Sequence, residues 1–86
     1  MFKVRLSEDA RKAYEKADRP LARKLARCFE QLEHDPRNHS NVKRLSGPFA
    51  GLWRYRIGDY RVIYRIEDRE LVVMVLVISH RGKAYR

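Results

Sequence analysis

Cysteine is almost missing from this sequence. Cys28 stands alone among 86 residues, so no disulfide can close within the chain, and a reducing, cytoplasmic setting is expected. No grouping of Cys and His has zinc-ligand spacing, and neither a metal nor another cofactor is expected. Long apolar runs are lacking too. The longest, Leu71–Ile78, has eight residues, far short of the roughly 20 that cross a bilayer, so no membrane association is expected. The N-terminus takes on charge at Lys3 before any apolar h-region develops, which argues against a secretory signal. Carboxylates are scarce: 11 Asp and Glu face 20 Lys and Arg, for a net charge of +9. That imbalance excludes an acidic surface and points to a polyanionic partner, either nucleic acid or an acidic protein. Repeats and low-complexity tracts are absent.

What remains is a soluble globular composition, 44% apolar, of a length that makes one domain over residues 1–86 with one modest core. The charge is uneven. Residues 1–42 hold ten basic and seven acidic side chains, whereas residues 43–86 hold ten and four. Three of those four acids, Glu67, Asp68 and Glu70, fall together at an expected turn.

The most informative stretch is Leu52–Arg86. Leu52–Ile57 and Tyr60–Ile66 alternate bulky apolar residues with arginine at period two, as two-faced strands do. Only Gly58-Asp59 separates them, a connection that closes a tight hairpin. Counting outward from that turn sets Ile57 against Tyr60, Arg56 against Arg61, Tyr55 against Val62, Arg54 against Ile63 and Trp53 against Tyr64. One face then carries Trp53, Tyr55, Ile57, Tyr60, Val62, Tyr64 and Ile66, a core surface. The other carries Arg54, Arg56, Arg61 and Arg65 around Ile63. Arg56 against Arg61 is costly, because like charges directly across a strand pair destabilise it by up to about 1 kcal/mol. Folding does not need that pair, whereas phosphate binding does.

Upstream, Phe2, Val4 and Leu6 alternate with Lys3 and Arg5 in a short strand. Ser7 is placed as a helix N-cap, with Glu8 and Asp9 in the first turn. Ala10, Ala13, Tyr14 and Ala17 form a narrow helical stripe. Pro20 opens a second helix, whose apolar face is Leu21, Leu25, Cys28, Phe29 and Leu32. Asp35–Asn41 is a loop by composition. Leu71–Ile78 is apolar at every position, as for a strand covered on both faces. Pairing Ile66 with Leu71 puts Val73, Val75 and Val77 in the core and Met74, Leu76 and Ile78 beneath the arginines. The same parity aims His80 at Arg56 and Arg61. The expected fold is α+β, βααβββ, a curled antiparallel sheet with two N-terminal helices on one face and a concave basic face opposite.

Cutting RNA through its own 2′-hydroxyl requires a proton acceptor for that hydroxyl, cations for the charge on the non-bridging oxygens, and a proton donor for the departing 5′-oxygen. Arginine forks suit the second task and histidine the first or third. Tyrosine becomes a base only where neighbouring cations lower its pKa. Arg81, His80 and Tyr85 follow the last strand closely enough to curl over the arginine face.

The phrases LWRYRIGDYRVIYRI and HRGKAYR, within Leu45–Arg86, resemble the RelE branch of the RelE/ParE superfamily of toxins, and the upstream layout is similar. The resemblance implies a small basic toxin neutralised by a RelB-like antitoxin. It also implies a ribosome-dependent endoribonuclease that cuts mRNA in the A site, leaving a 2′,3′-cyclic phosphate and a 5′-hydroxyl. Carried over by motif, Arg61 in GDYRV stabilises the attacked phosphate and Arg81 in HRGKAYR assists. Tyr85 stacks on the target base and is a candidate base. Arg54 and Arg56 stand where relatives have lysines, which preserves charge stabilisation but leaves the general base open. His80 is the alternative. Arg54, Lys43, Arg44, Arg65 and Lys83 are expected to contact RNA backbone. Two other readings share the fold: a ParE-like inhibitor of DNA gyrase, and a non-catalytic RNA-binding module.

Overall fold

The computed structural model describes residues 1–81. Strand β1 (Lys3–Leu6) leads into helix α1 (Glu8–Lys16) and helix α2 (Arg19–His34), followed by β2 (Val42–Arg44), a short 3-10 turn at Gly47–Phe49, β3 (Trp53–Ile57), β4 (Tyr60–Glu67) and β5 (Val72–His80). The sheet runs β1-β5-β4-β3-β2. The α+β arrangement with a helix pair on one face is as expected, with two refinements. The segment at Val42 contributes a fifth strand, antiparallel to β3. β1 joins β5 in parallel, so the sheet is mixed rather than wholly antiparallel.

The helix boundaries follow from their caps. The Ser7 hydroxyl accepts from the Ala10 N–H at 3.0 Å and the Asp18 carboxylate from the Leu21 N–H at 2.9 Å, each satisfying a donor that the first turn leaves open. Ala10, Leu25, Cys28 and Leu32 are buried against Tyr55, Val62, Tyr64, Val73, Val75 and Ile78. At the centre Tyr64 is wholly buried, and its hydroxyl donates to the Pro36 carbonyl at 2.6 Å.

The hairpin register is the one counted from the turn, from Ile57 against Tyr60 to Trp53 against Tyr64. Gly58 has φ +53°, the left-handed conformation that glycine adopts most readily at the first central position of a tight hairpin turn. β5 departs from the expected parity. Val73 and Val75 oppose Ile66 and Tyr64, but Val77 opposes Ile63 and Ile78 opposes Val62. Leu76 is therefore an extra residue, a bulge that exchanges the faces of everything after it. Its carbonyl accepts from the Ser7 hydroxyl at 2.8 Å, so the α1 cap also completes the bulge. Ile78 thus joins the core, while Val77 moves to the arginine face, the reverse of the expected assignment.

Burial pushes the Cys28 thiol up to about 12. The folded state therefore holds this proton more tightly than the unfolded chain. The resulting stability is complete below the ordinary thiol range near 9 and is lost as pH rises toward 12, by up to about 1.4 kcal/mol per pH unit. Urea midpoints measured from pH 8 to 11 should fall, and Cys28→Ala should flatten that fall. A wild-type thiol that reacted with Ellman's reagent at the rate of a free peptide would contradict this burial.

Candidate RNA-binding site

Arg56 and Arg61 face each other across β3 and β4. Two rows of side chains cross the sheet on this face. In the first, the Asn41 carbonyl accepts from the Arg56 N–H at 3.0 Å, Arg61 follows, and Ser79 of β5 pairs with Arg61. In the second, Lys43 pairs with Arg54, a further like-charge pair, and Arg54 with Ile63. Two like-charge pairs on adjacent rows concentrate positive potential on a surface that hydrophobic packing alone would leave neutral.

The first row borders an open hollow of about 680 Å³, lined by Asn41, Arg56, Gly58, Asp59, Arg61 and Arg81. The Arg81 N–H donates to the Asp59 carbonyl, which fixes the residue after β5 at the hairpin turn. An adjoining hollow of about 270 Å³ contains Lys43, Phe49 and Arg54 and shares Arg61. Among the described residues, the Nε of Arg54 and the Oγ of Ser79 are buried without hydrogen-bond partners. Asp59 is the only carboxylate among the described residues that lines either hollow. The arrangement suits a phosphate: three arginines line one hollow, and arginine binds non-bridging oxygens in bidentate fashion.

The remaining expected site residues are distributed differently. His80 pairs with Tyr60 and meets its ring edge-on, with centroids 5.2 Å apart. It lies on the helix side of the sheet rather than toward the arginines, because the Leu76 bulge reverses its parity. Arg44 pairs with Trp53 and holds its guanidinium 5.7 Å from that ring, and it also borders the second hollow beside Lys43 and Arg54. Arg65 is on the arginine face but bonds Glu67 at 3.1 Å, about 13 Å along β4 from Arg61 at a strand's usual rise. Tyr85 and Lys83 lie outside the described residues. Asn41 and Ser79 line or flank the site without a sequence signal that marks them, Asn41 because it reads only as loop and Ser79 because the bulge hides its face. Asp59, the one acid among the hairpin arginines in the sequence, lines the first hollow too.

Among the described residues, no group of three or more His, Cys, Asp or Glu is arranged to hold a metal ion, and no helix is long and apolar enough to cross a membrane.

A family described as the ParE toxin of type II toxin–antitoxin systems matches residues 4–85. The chain is 34% identical over 86 residues to toxin RelG of Mycobacterium tuberculosis, covering 99% of this chain and 97% of that protein. It is 38% identical over 58 residues to toxin RelE of the same organism, covering 67% of this chain and 58% of that protein. Among solved structures, the archaeal RelE–RelB complex of Pyrococcus horikoshii superposes with a TM-score of 0.81 at 30% identity, covering 96% of this chain and 98% of that one. The RelBE2 toxin–antitoxin complex of M. tuberculosis superposes with a TM-score of 0.80 at 28% identity, covering 93% and 98%. A family match along nearly the whole chain, a curated toxin similar from end to end and a shared fold lead to one assignment: the chain belongs to the RelE/ParE superfamily and is a toxin of a type II toxin–antitoxin system.

Proposed function

We propose that this toxin is a ribosome-dependent endoribonuclease that cuts mRNA in the A site and so stops translation in the cytoplasm. The observation that carries the reading is the hollow in which Arg56, Arg61 and Arg81 converge. In the reaction, the 2′-oxygen attacks the adjacent phosphorus as its proton leaves, and the P–O5′ bond breaks. The departing 5′-oxygen takes up a proton, leaving a 2′,3′-cyclic phosphate and a 5′-hydroxyl. Arg61 and Arg56 stabilise the charge that grows on the non-bridging oxygens, and Arg81 assists from the hairpin turn. Tyr85, matched by motif, is assigned the proton-acceptor and base-stacking role, which requires a phenol more acidic than an ordinary tyrosine. Lys43 and Arg54 hold the RNA backbone next to the reacting phosphate. Lys83, in the same terminal stretch as Tyr85, adds a further backbone contact.

A RelB-like antitoxin is the neutralising partner in this reading. The relatives solved as RelE–RelB and RelBE2 complexes support it, and an acidic segment would complement the arginine face.

The test is cleavage of mRNA on programmed ribosomes, mapped by primer extension. Wild-type protein should cut within the A-site codon. Arg81→Ala and Tyr85→Phe should each slow cutting at least tenfold, in line with the typical worth of one positioned proton-transfer or charge-stabilising group. Intact mRNA together with blocked gyrase supercoiling would replace this reading with a ParE-like one. RNA binding with neither activity would leave a binding module.

A further inference from the structure

Helix α2 opens with Arg19, Arg23, Lys24 and Arg27 and has no acidic residue in its first turn. Cations there oppose the helix dipole, and like charges at i,i+4 weaken a helix. Lys24 and Arg27 make no ion pair among the described residues. Both line a hollow of about 240 Å³ between α2 and β3, whose wall includes Asn41, Tyr55 and Gly58. Asn41 and Gly58 also line the arginine hollow, so the two are neighbours across the hairpin edge. Gly58, shared by both, carries no side chain, and a Cβ there would meet nothing within 4 Å.

Charge separates this hollow from the adjacent one. A third, of about 320 Å³, also borders Lys24 and Gly58, but Asp18 and Asp59 line it. Among the described residues, no carboxylate lines the α2–β3 hollow. Of the two hollows that border Gly58 beside the arginine hollow, the one toward Lys24 and Arg27 is therefore the more favourable to a polyanion.

We propose that the α2–β3 hollow is a second RNA subsite, which holds the sugar–phosphate backbone of nucleotides flanking the one bound by Arg56 and Arg61. The proposal rests on the endoribonuclease reading and extends its site from one face of the sheet around the hairpin edge to the helices. Lys24 and Arg27 each neutralise one phosphate of the same strand.

The test uses the full-length toxin and 2′-O-methyl oligoribonucleotides of three and nine residues, which cannot be cut, with binding followed by fluorescence anisotropy across a salt series. Wild type should bind the nonamer at least tenfold more tightly than the trimer. In Lys24→Ala/Arg27→Ala that advantage should shrink to under about threefold. The slope of log K against log salt for the nonamer should fall by about 1.4, since a single strand contributes roughly 0.7 per phosphate contact. Lys12→Ala/Lys16→Ala, which removes the same charge from α1, should leave the slope within 0.3 of wild type. An unchanged slope in the α2 variant, or an equal fall in the α1 variant, overturns the subsite. Arg61→Ala separates the two readings: weaker binding at both lengths keeps the arginine site even if the subsite fails, and no change at either length removes both.

Discussion

Arg61→Ala is expected to slow A-site cleavage by at least a hundredfold. Arg61 is shared by both hollows on the arginine face and lies at the centre of its row, between Arg56 and Ser79. Removing one preorganised donor to a developing oxyanion typically costs 10²–10³ in rate, and in the proposed reaction Arg61 is the donor that its neighbours are least able to replace. The folded state should change little. The substitution ends a like-charge contact of up to about 1 kcal/mol, which offsets the packing that the half-buried alkyl stem gives up. Single-turnover cleavage alongside thermal unfolding separates the two effects. A variant with unaltered cleavage would remove Arg61 from the chemistry. A variant that unfolded early would show instead that its stem is part of the core.

The largest effect on stability is expected at Tyr64. It is wholly buried at the centre of the sheet, where burial raises its phenol well above the ordinary tyrosine range. Tyr64→Ala should cost about 3–5 kcal/mol, as for other large aromatics truncated in a core. A chain of this size has about 4–13 kcal/mol in total, so much of the variant should be unfolded at 37 °C. Tyr64→Phe isolates the hydroxyl. It leaves the Pro36 carbonyl without its donor and should cost about 1–3 kcal/mol. Urea denaturation followed by tryptophan fluorescence measures both, since Trp53 packs against this core. An unshifted midpoint for the phenylalanine variant would mean that water satisfies Pro36 equally well.

The hairpin could be read from sequence because three signals agree there: period-two alternation, a glycine-led two-residue turn, and arginines confined to one parity. Together they placed Arg56 against Arg61 and Trp53 against Tyr64, as observed. The caps at Ser7 and the burial of Cys28 were legible for similar reasons, a polar residue ahead of acids and a thiol on an apolar helical stripe. The register of β5 was not legible, because Leu71–Ile78 is apolar on both parities and no alternation selects a pairing. The bulge at Leu76 depends on a partner nearly seventy residues upstream, the Ser7 hydroxyl, which is 69 positions away. One unseen residue carried His80 to the wrong side and hid Ser79. β2 was missed because three residues carry too little pattern, and Arg44 then lacked the strand parity that turns it toward Trp53.

The crowding of Arg56 against Arg61 has a thermodynamic consequence. Like charges crowded across neighbouring strands, Lys43 against Arg54 as well, cost stability on the molecule's own surface, and an anion that occupies that surface favours the native state. By mass action, an occupant at a hundred times its dissociation constant adds about 2.7 kcal/mol. An acidic antitoxin segment and a strand of RNA would then compete for the same surplus of charge, and the melting temperature of the toxin would report which of them is bound.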